Sequence, residues 1–290
     1  MNYYNEHTII FLDGEFVKAA DARIDLYSQS LHYGYAVFEG IRSYKMKDGT
    51  TKIFKPVEHY KRLIASAVAL NMPFAYSVEE LIEATDRVLA ANDLSDAYIR
   101  PLVYGPDNMS FNPNPLSHFT IQAWKMQPFL GERLLRVMTS SFQRPNPKGF
   151  RIEAKASGHY VNSIMASHEA KAKGFDEALL TDMDDNAAEA PGANLFYEKD
   201  GILYTPSLGH ILPGITRATV LEIAAKFGIE VKETKFTTNE IYGADAAFFC
   251  GTAAEIIGFE SLDNQPFAKK WNDTVSRKIQ LAYKELVISN

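Results

Sequence analysis

The chain has 290 residues, enough to bury a large core as one big domain or two of ordinary size, and two is the better reading. A hydrophobic share of 46% and a charged share of 23% are those of a soluble globular protein, and a net charge of -6 argues against general nucleic-acid binding while leaving room for small anions at local sites. One cysteine, Cys250, excludes an intrachain disulfide and reads as a buried strand residue in a reducing compartment; no run is apolar for long enough to span a bilayer, so a cytoplasmic protein is expected.

Strands come first. Asp13-Gly14 lies between apolar runs within Thr8–Val17 and marks a tight hairpin, as Asp48-Gly49 does between Ile41–Met46 and Thr51–Phe54. Leu63, Ile64, Ala67 and Val68 recur at helical spacing, and so do Val78, Leu81, Ile82, Val88 and Leu89, behind a capping box formed by Ser77 and Glu80. A strand is expected at Ala97–Tyr104. Gly105–Pro115, rich in proline and asparagine, reads as a loop, and a strand at His118–Met126 runs out at Pro128. A linker near Gln127–Arg133 separates an N-terminal domain, residues 1–130, from a larger one, residues 131–290.

The second half opens with a strand at Leu134–Phe142 and a Pro145-Asn146-Pro147 turn, then reaches Lys155 just before a helix that starts at Gly158 and stops at Gly174. Asp184-Asp185-Asn186 and Asp200-Gly201 mark further hairpins, a helix over Thr216–Phe227 stops at Gly228, and a last helix follows Asp273, a candidate N-cap. Hairpins mixed with isolated helices predict an α+β fold of two domains with a cleft between them.

Two turns could clasp one phosphate. Leu212-Pro213-Gly214-Ile215-Thr216-Arg217 opens a helix, whose first N–H groups lack intrahelical partners and whose dipole favours an anion. Phe248-Phe249-Cys250-Gly251-Thr252-Ala253-Ala254 is a strand running into a turn that could close the other side through Thr252 and Ala253. Neither run ends in the GK[ST] of a nucleotide P-loop, and no GxGxxG follows a strand, so the expected phosphate belongs to a cofactor other than a dinucleotide. Lys155 has small neighbours that leave room for a bulky group. A lysine that forms a Schiff base must be partly neutral, a state favoured by burial beside other cations. Lysine and phosphate turns together suggest pyridoxal 5'-phosphate, which also wants a carboxylate on its ring nitrogen, and Glu189 sits among residues too small to hide it. Taken singly, each of these residues has a plainer reading as surface charge, loop acid or helix cap.

LHYGYAVFEGIRSY at Leu31–Tyr44, AYIRPL at Ala97–Leu102, AKASGHY at Ala154–Tyr160, LPGITR at Leu212–Arg217 and GTAAE at Gly251–Glu255 together carry a specific resemblance. From about Ile24 to Tyr283 the chain resembles the fold-type IV pyridoxal-phosphate enzymes, the class IV aminotransferases, and within them the branched-chain amino acid aminotransferases. The resemblance implies a two-domain fold with the cofactor in the cleft, and transfer of the amino group from Leu, Ile or Val to 2-oxoglutarate by a ping-pong route. It makes Lys155 the Schiff-base lysine and proton shuttle, Tyr160 the partner of the cofactor's phenolic oxygen, and Glu189 that of its ring nitrogen. Arg62, Ile215, Thr216 and Thr252 would hold the phosphate, with Leu212, Gly214 and Gly251 shaping the cradle. Tyr33 and Phe38 would line an apolar pocket beside Gly40, and Tyr98 with the Thr252 and Ala253 amides would face the α-carboxylate. Arg100, with the Tyr33 hydroxyl, would take a γ-carboxylate. Arg42 is a structural ion-pair candidate.

Three departures stand out. Where the family commonly has Ser-Glu-Gly-x-Gly-Glu-Asn-Leu-Phe, this chain has Ala188 to Phe196 with Glu189 kept and Ala193 in place of the second acid, so the hydrogen bonds around the cofactor must be closed differently. Met126 and Phe129 stand where a tryptophan and a tyrosine are typical; Phe129 donates no hydrogen bond and makes the pocket wall more apolar. In the loop Gly105–Phe111, Phe111 would narrow the site of a partner subunit, since the resemblance implies a homodimer or higher homo-oligomer. Rival readings are a D-amino-acid aminotransferase or aminodeoxychorismate lyase of the same fold, against which AYIRPL and FEGIR argue, and a cofactor-free binding protein.

Overall fold

The computed structural model describes residues 3–126 and 133–289. Its contacts divide them into two compact units. The first takes residues 3–126 together with Ala154–His159 and residues 288–289, and the second takes residues 133–153 and 160–287. Lys155 thereby groups with the first unit. The expected linker and Phe129 fall largely outside the described residues.

In the first unit, strands β1 (Ile9–Leu12), β2 (Glu15–Lys18), β3 (Ala36–Phe38), β4 (Ile41–Lys45), β5 (Thr51–Ile53), β6 (Ala97–Tyr104) and β7 (His118–Lys125) form one sheet in the order β2-β1-β7-β6-β4-β5, with β3 also paired to β6. The hairpin at Asp13-Gly14 forms as expected, because both residues take the positive φ of 48° and 97° that a twisted two-residue turn demands. Helices α1 (Gln29–Tyr33), α2 (Pro56–Ala69) and α3 (Val78–Ala91) join it. Helix α3 starts on the expected capping box: Glu80 N–H donates to Ser77 Oγ at 3.2 Å, and Ser77 N–H to the Glu80 carboxylate at 2.7 Å. Helix α2 starts at Pro56, whose missing N–H costs nothing in the first turn. Leu63 and Ala67 bury completely with Leu81, Val88, Ile99 and Ile121, whereas Val68, expected on the same face, is 68% exposed.

In the second unit, strands β8 (Leu135–Gln143), β9 (Glu177–Thr181), β10 (Ala187–Glu189), β11 (Asn194–Lys199), β12 (Ile202–Thr205), β13 (Val231–Glu233), β14 (Ala246–Gly251) and β15 (Glu255–Leu262) run in the order β10-β9-β8-β15-β14-β11-β12-β13, and β16 (Gln265–Pro266) pairs with β15. Helix α4 (Tyr160–Ala172) follows a single 3₁₀ turn, Ser157–His159, and packs Ala166 and Ala170 onto Met138, Ala178 and Leu180. Helix α5 (Ile215–Lys226) lies against β14; α6 (Thr238–Ile241) and α7 (Val275–Ile288), except for its last residue, complete the unit.

One expected cap is corrected. The residue that caps α7 is Thr274, whose Oγ1 accepts from Arg277 N–H at 3.1 Å; Asp273 lies in the preceding 3₁₀ turn. The carboxylate of Glu198 takes the Val275 and Ser276 N–H groups at 3.1 and 2.7 Å, so a distant acid does what a local one was expected to do. Cys250 is fully buried on β14, the strand residue expected, and burial pushes its thiol well above the usual range. Among the described residues no helix is long and apolar enough to cross a membrane.

Candidate active site

Backbone contacts in the first unit fix the segment bearing Lys155. Its N–H donates to Ser66 Oγ at 3.1 Å, its carbonyl accepts from Phe38 N–H at 3.1 Å, and Ala156 bridges to Val37. Further on, Gly158 N–H donates to the Gly34 carbonyl at 3.1 Å, where Gly34, at φ +66°, ends α1. A Cβ on Gly34 would lie 2.8 Å from Gly158 Cα, so this approach needs glycine. Lys155 is half-buried, and its Nζ lies 5.1 Å from the centre of the Phe38 ring.

The Phe38 ring also carries Arg100, whose Cζ is 4.5 Å from its centroid. Arg100 Nη2 donates to the Tyr98 hydroxyl at 3.2 Å, and its Nε is shielded from solvent without a hydrogen-bond partner among the described residues. A shielded guanidinium donor of this kind suits a carboxylate ligand. Tyr98 packs on Trp124 with ring centres 5.2 Å apart, and Gly40 stands against its hydroxyl: a Cβ there would come within 2.0 Å of it. Phe38, Gly40, Tyr98 and Arg100 are thus brought together.

Tyr33 and Phe111 form a separate group. Tyr33 belongs to α1, its hydroxyl donates to the Met109 carbonyl at 3.5 Å, and its ring centre lies 5.4 Å from that of Phe111. Tyr33 is 46% and Phe111 88% exposed. The Tyr33 hydroxyl, expected to act with Arg100 on a γ-carboxylate, lies here against the Met109 carbonyl of the 105–111 loop.

Sequence reasoning missed the surroundings of Arg62. Glu39, fully buried at the turn between β3 and β4, accepts from Arg62 Nε at 2.6 Å, from Arg62 Nη2 at 2.9 Å and from His59 Nδ1 at 2.8 Å, and Ser66 stands one turn further along α2. Burial alone would raise the Glu39 carboxyl, but the Arg62 charge and the bonds from His59 and Arg62 outweigh it and hold the group well below the carboxylate range. For His59 burial wins over the pull of Glu39, and its imidazole is pushed below the usual value. The triad therefore reads as carboxylate, neutral imidazole and guanidinium. Arg42, also buried, places its guanidinium 4.9 Å from the Tyr44 ring centre.

In the second unit, Glu189 is 4% exposed at the end of β10 and is held from three sides. Arg144 Nε lies 2.9 Å from Oε1, Leu212 N–H donates to Oε1 at 3.1 Å, and Asn194 Nδ2 donates to Oε2 at 2.9 Å. Asn194 also donates to the Leu212 carbonyl at 3.0 Å, tying the acid to the turn that opens α5. Ala193 supplies no acid, and Arg144 and Asn194, neither singled out in the sequence, close this network.

The turn itself has the character expected of an anion cradle. Gly214 is the N-cap of α5, with no side-chain cap and no acid in the first turn, so the Ile215 and Thr216 amides point their donors outward with the helix dipole. A Cβ on Gly214 would fall 1.9 Å from Asn194 Oδ1. Gly251 ends β14 with a Cβ position 3.1 Å from the Gly192 carbonyl, and Thr252 and Ala253 form the turn after it. Tyr160 opens α4. The first unit by itself offers an amine on a pinned segment, and the second by itself a buried acid beside a guanidinium and an uncapped helix start; each is a group that the phosphorylated pyridine aldehyde pyridoxal 5'-phosphate requires, so the residues present fit that cofactor.

A family model, that of amino-transferase class IV, matches residues 36–262. A curated relative, the branched-chain-amino-acid aminotransferase of Pseudomonas aeruginosa, is 40% identical over 99% of this chain and 95% of its own. The crystal structure of a branched-chain aminotransferase from Thermoproteus uzoniensis with norvaline matches with a TM-score of 0.93 at 35% identity, covering 97% of this chain and 95% of that one. A branched-chain amino acid aminotransferase from T.th., complexed with N-(5'-phosphopyridoxyl)-L-glutamate, matches with a TM-score of 0.90 at 37% identity, covering 97% and 94%.

Proposed function

The chain belongs to the class IV aminotransferases, and we propose on that premise that it moves the amino group between branched-chain L-amino acids and 2-oxoglutarate, using pyridoxal 5'-phosphate. The observation that carries this reading is the pinned Lys155 segment: Phe38 and Ser66 fix its backbone, and its Nζ lies 5.1 Å from the centre of the Phe38 ring. When bound, the cofactor supplies an electrophilic carbon for the amine and a ring that draws electrons away from the substrate Cα. Lys155 Nζ would take the substrate Cα proton and give it up to the cofactor carbon on the other side of the amino nitrogen, general base and then general acid. Glu189, held by Arg144 and Asn194, would accept a hydrogen bond from the ring nitrogen. Tyr160 holds the phenolic oxygen. Arg62, Ile215, Thr216 and Thr252 hold the phosphate, with Leu212, Gly214 and Gly251 shaping its seat.

For the substrate, Phe38 offers an apolar wall beside Gly40, and Tyr98 with the Thr252 and Ala253 amides receives the α-carboxylate. The shielded Nε of Arg100 supports its assignment to the γ-carboxylate of 2-oxoglutarate. The outward grouping of Tyr33 and Phe111 supports a homodimer in which they approach the partner's site, which moves Tyr33 from its own pocket to its neighbour's. A lone buried cysteine and an acidic composition suit a cytoplasmic location. Lys155→Ala tests the whole: it keeps the circular-dichroism spectrum of the parent and loses transamination of L-leucine, and normal turnover by that variant refutes the assignment.

A further inference from the structure

Glu39 poses a problem of charge. An ionised carboxylate with no solvent exposure persists only when fully partnered, and Glu39 is: Arg62 reaches both its oxygens, His59 Nδ1 donates to Oε2, and Gly40 N–H approaches Oε2 at 3.2 Å. Yet a negative charge bonded to the cation assigned to a phosphate weakens that cation's attraction for a dianion. Glu39 therefore lowers the electrostatic part of phosphate affinity, and its contribution must come from elsewhere.

Geometry supplies it. The guanidinium is a rigid planar fork on a flexible stem, and two bonds to one carboxylate fix both its plane and its direction. Helix α2 sets the stem, β3 and β4 set the carboxylate, and His59, one helical turn before Arg62, holds the carboxylate from the other side. Ser66, one turn after Arg62, pins the Lys155 backbone from the same helix, so the arginine and the lysine segment share one rigid support.

We propose that Glu39 is a positioning residue that locks the Arg62 guanidinium in the orientation in which it meets the cofactor's phosphate, and that it raises cofactor affinity through this orientation in spite of its charge. This inference rests on the assignment of Arg62 to the phosphate. It separates two effects of opposite sign: freeing Arg62 from Glu39 increases net positive charge and loosens the fork.

The test is equilibrium binding of pyridoxal 5'-phosphate and of pyridoxal, which lacks the phosphate, to the apo form of the full chain, followed by absorbance. Wild type, Glu39→Gln, Glu39→Asp and Arg62→Ala are compared, with near-ultraviolet circular dichroism to confirm folding. Glu39→Gln is expected to weaken pyridoxal 5'-phosphate binding about tenfold, the scale of a lost charge-assisted hydrogen bond, and to leave pyridoxal binding unchanged. Glu39→Asp keeps the charge and shortens the reach, so it is expected to weaken the phosphorylated ligand in the same selective way, and it carries the test if the Gln variant does not fold. Unchanged or tighter binding of pyridoxal 5'-phosphate by Glu39→Gln overturns the proposal, as does Glu39→Asp behaving like wild type or an equal loss for both ligands. Arg62→Ala is expected to abolish most of the preference for the phosphorylated ligand. If it does so while both Glu39 variants bind normally, only the role of Glu39 falls; if the preference survives, the assignment of Arg62 falls and the role of Glu39 with it.

Discussion

Arg144 Nε lies 2.9 Å from Glu189 Oε1, with the two side chains 8% and 6% exposed. The pair is held at both ends: β8 leads into Arg144, whose N–H donates to the Thr181 carbonyl at 2.8 Å, and β10 carries Glu189. A carboxylate beside a guanidinium is suited to accept a hydrogen bond from a protonated ring nitrogen. Arg144→Met leaves Glu189 buried without its charge partner. The expected cost is about 3 kcal/mol or more of stability, together with loss of transamination and weaker cofactor retention. Thermal unfolding of the cofactor-loaded variant checks the first, and a melting temperature equal to the parent's would remove Arg144 from the account.

Gly40→Ala places a methyl group 2.0 Å from the Tyr98 hydroxyl and 2.7 Å from its Cζ. Tyr98 cannot swing aside freely, because Trp124 packs on its ring and Arg100 bonds its hydroxyl. The ring must shift, and with it a proposed α-carboxylate contact and the setting of Arg100. The expected result is a fall of about 10- to 100-fold in kcat/KM for L-leucine and for 2-oxoglutarate, since displacement on the ångström scale is costly at a reacting site. Steady-state kinetics on a variant shown to be folded decide it; unchanged kinetics place Tyr98 outside the substrate site.

The fold should lose stability as pH falls below about 6.5, the ordinary histidine value. Burial holds His59 below that value in the folded chain, so the unfolded chain takes up the proton first and stability declines with falling pH. For Glu39, burial is outweighed by Arg62 and His59, the folded carboxyl titrates below the unfolded one, and a further decline begins near about 4.3. His59→Gln removes the upper part of the decline and keeps the lower. Melting temperatures of both proteins across this range test the sign, and a wild-type melting temperature that rises on acidification from neutral pH contradicts it.

Local signals were legible in the sequence and distant ones were not. The Ser77 and Glu80 box, the Asp13-Gly14 hairpin and the helix opened by Gly214 are each specified within a few residues, and all three form. Helix α1 escaped because its five residues are too few to show a period, although Ser28 and Gly34 cap it at both ends. The start of α7 moved by one residue because Asp273 and Thr274 can both cap, and the choice is made with Glu198, far away in the chain. Local residues point to Lys155 and Glu189, and the family resemblance to Arg62, but the groups that hold Glu189 and Arg62 lie elsewhere in sequence: Arg144 for Glu189, Glu39 and His59 for Arg62. The resemblance sets Tyr33 with Phe38 and Arg100, and the structure adds that its ring lies against Phe111, a neighbour no local signal announces. Phe129, expected to make the pocket wall more apolar, lies outside the described residues.

The central claim is that Lys155 and a bound pyridoxal 5'-phosphate carry branched-chain transamination. Its most direct test is the visible absorption spectrum of the cofactor-supplemented, desalted protein, recorded before and after L-leucine and again after 2-oxoglutarate. A yellow band that L-leucine bleaches and 2-oxoglutarate restores is the predicted result. A band unmoved by L-leucine contradicts the account in favour of a D-amino acid or lyase activity, and a colourless protein contradicts it altogether.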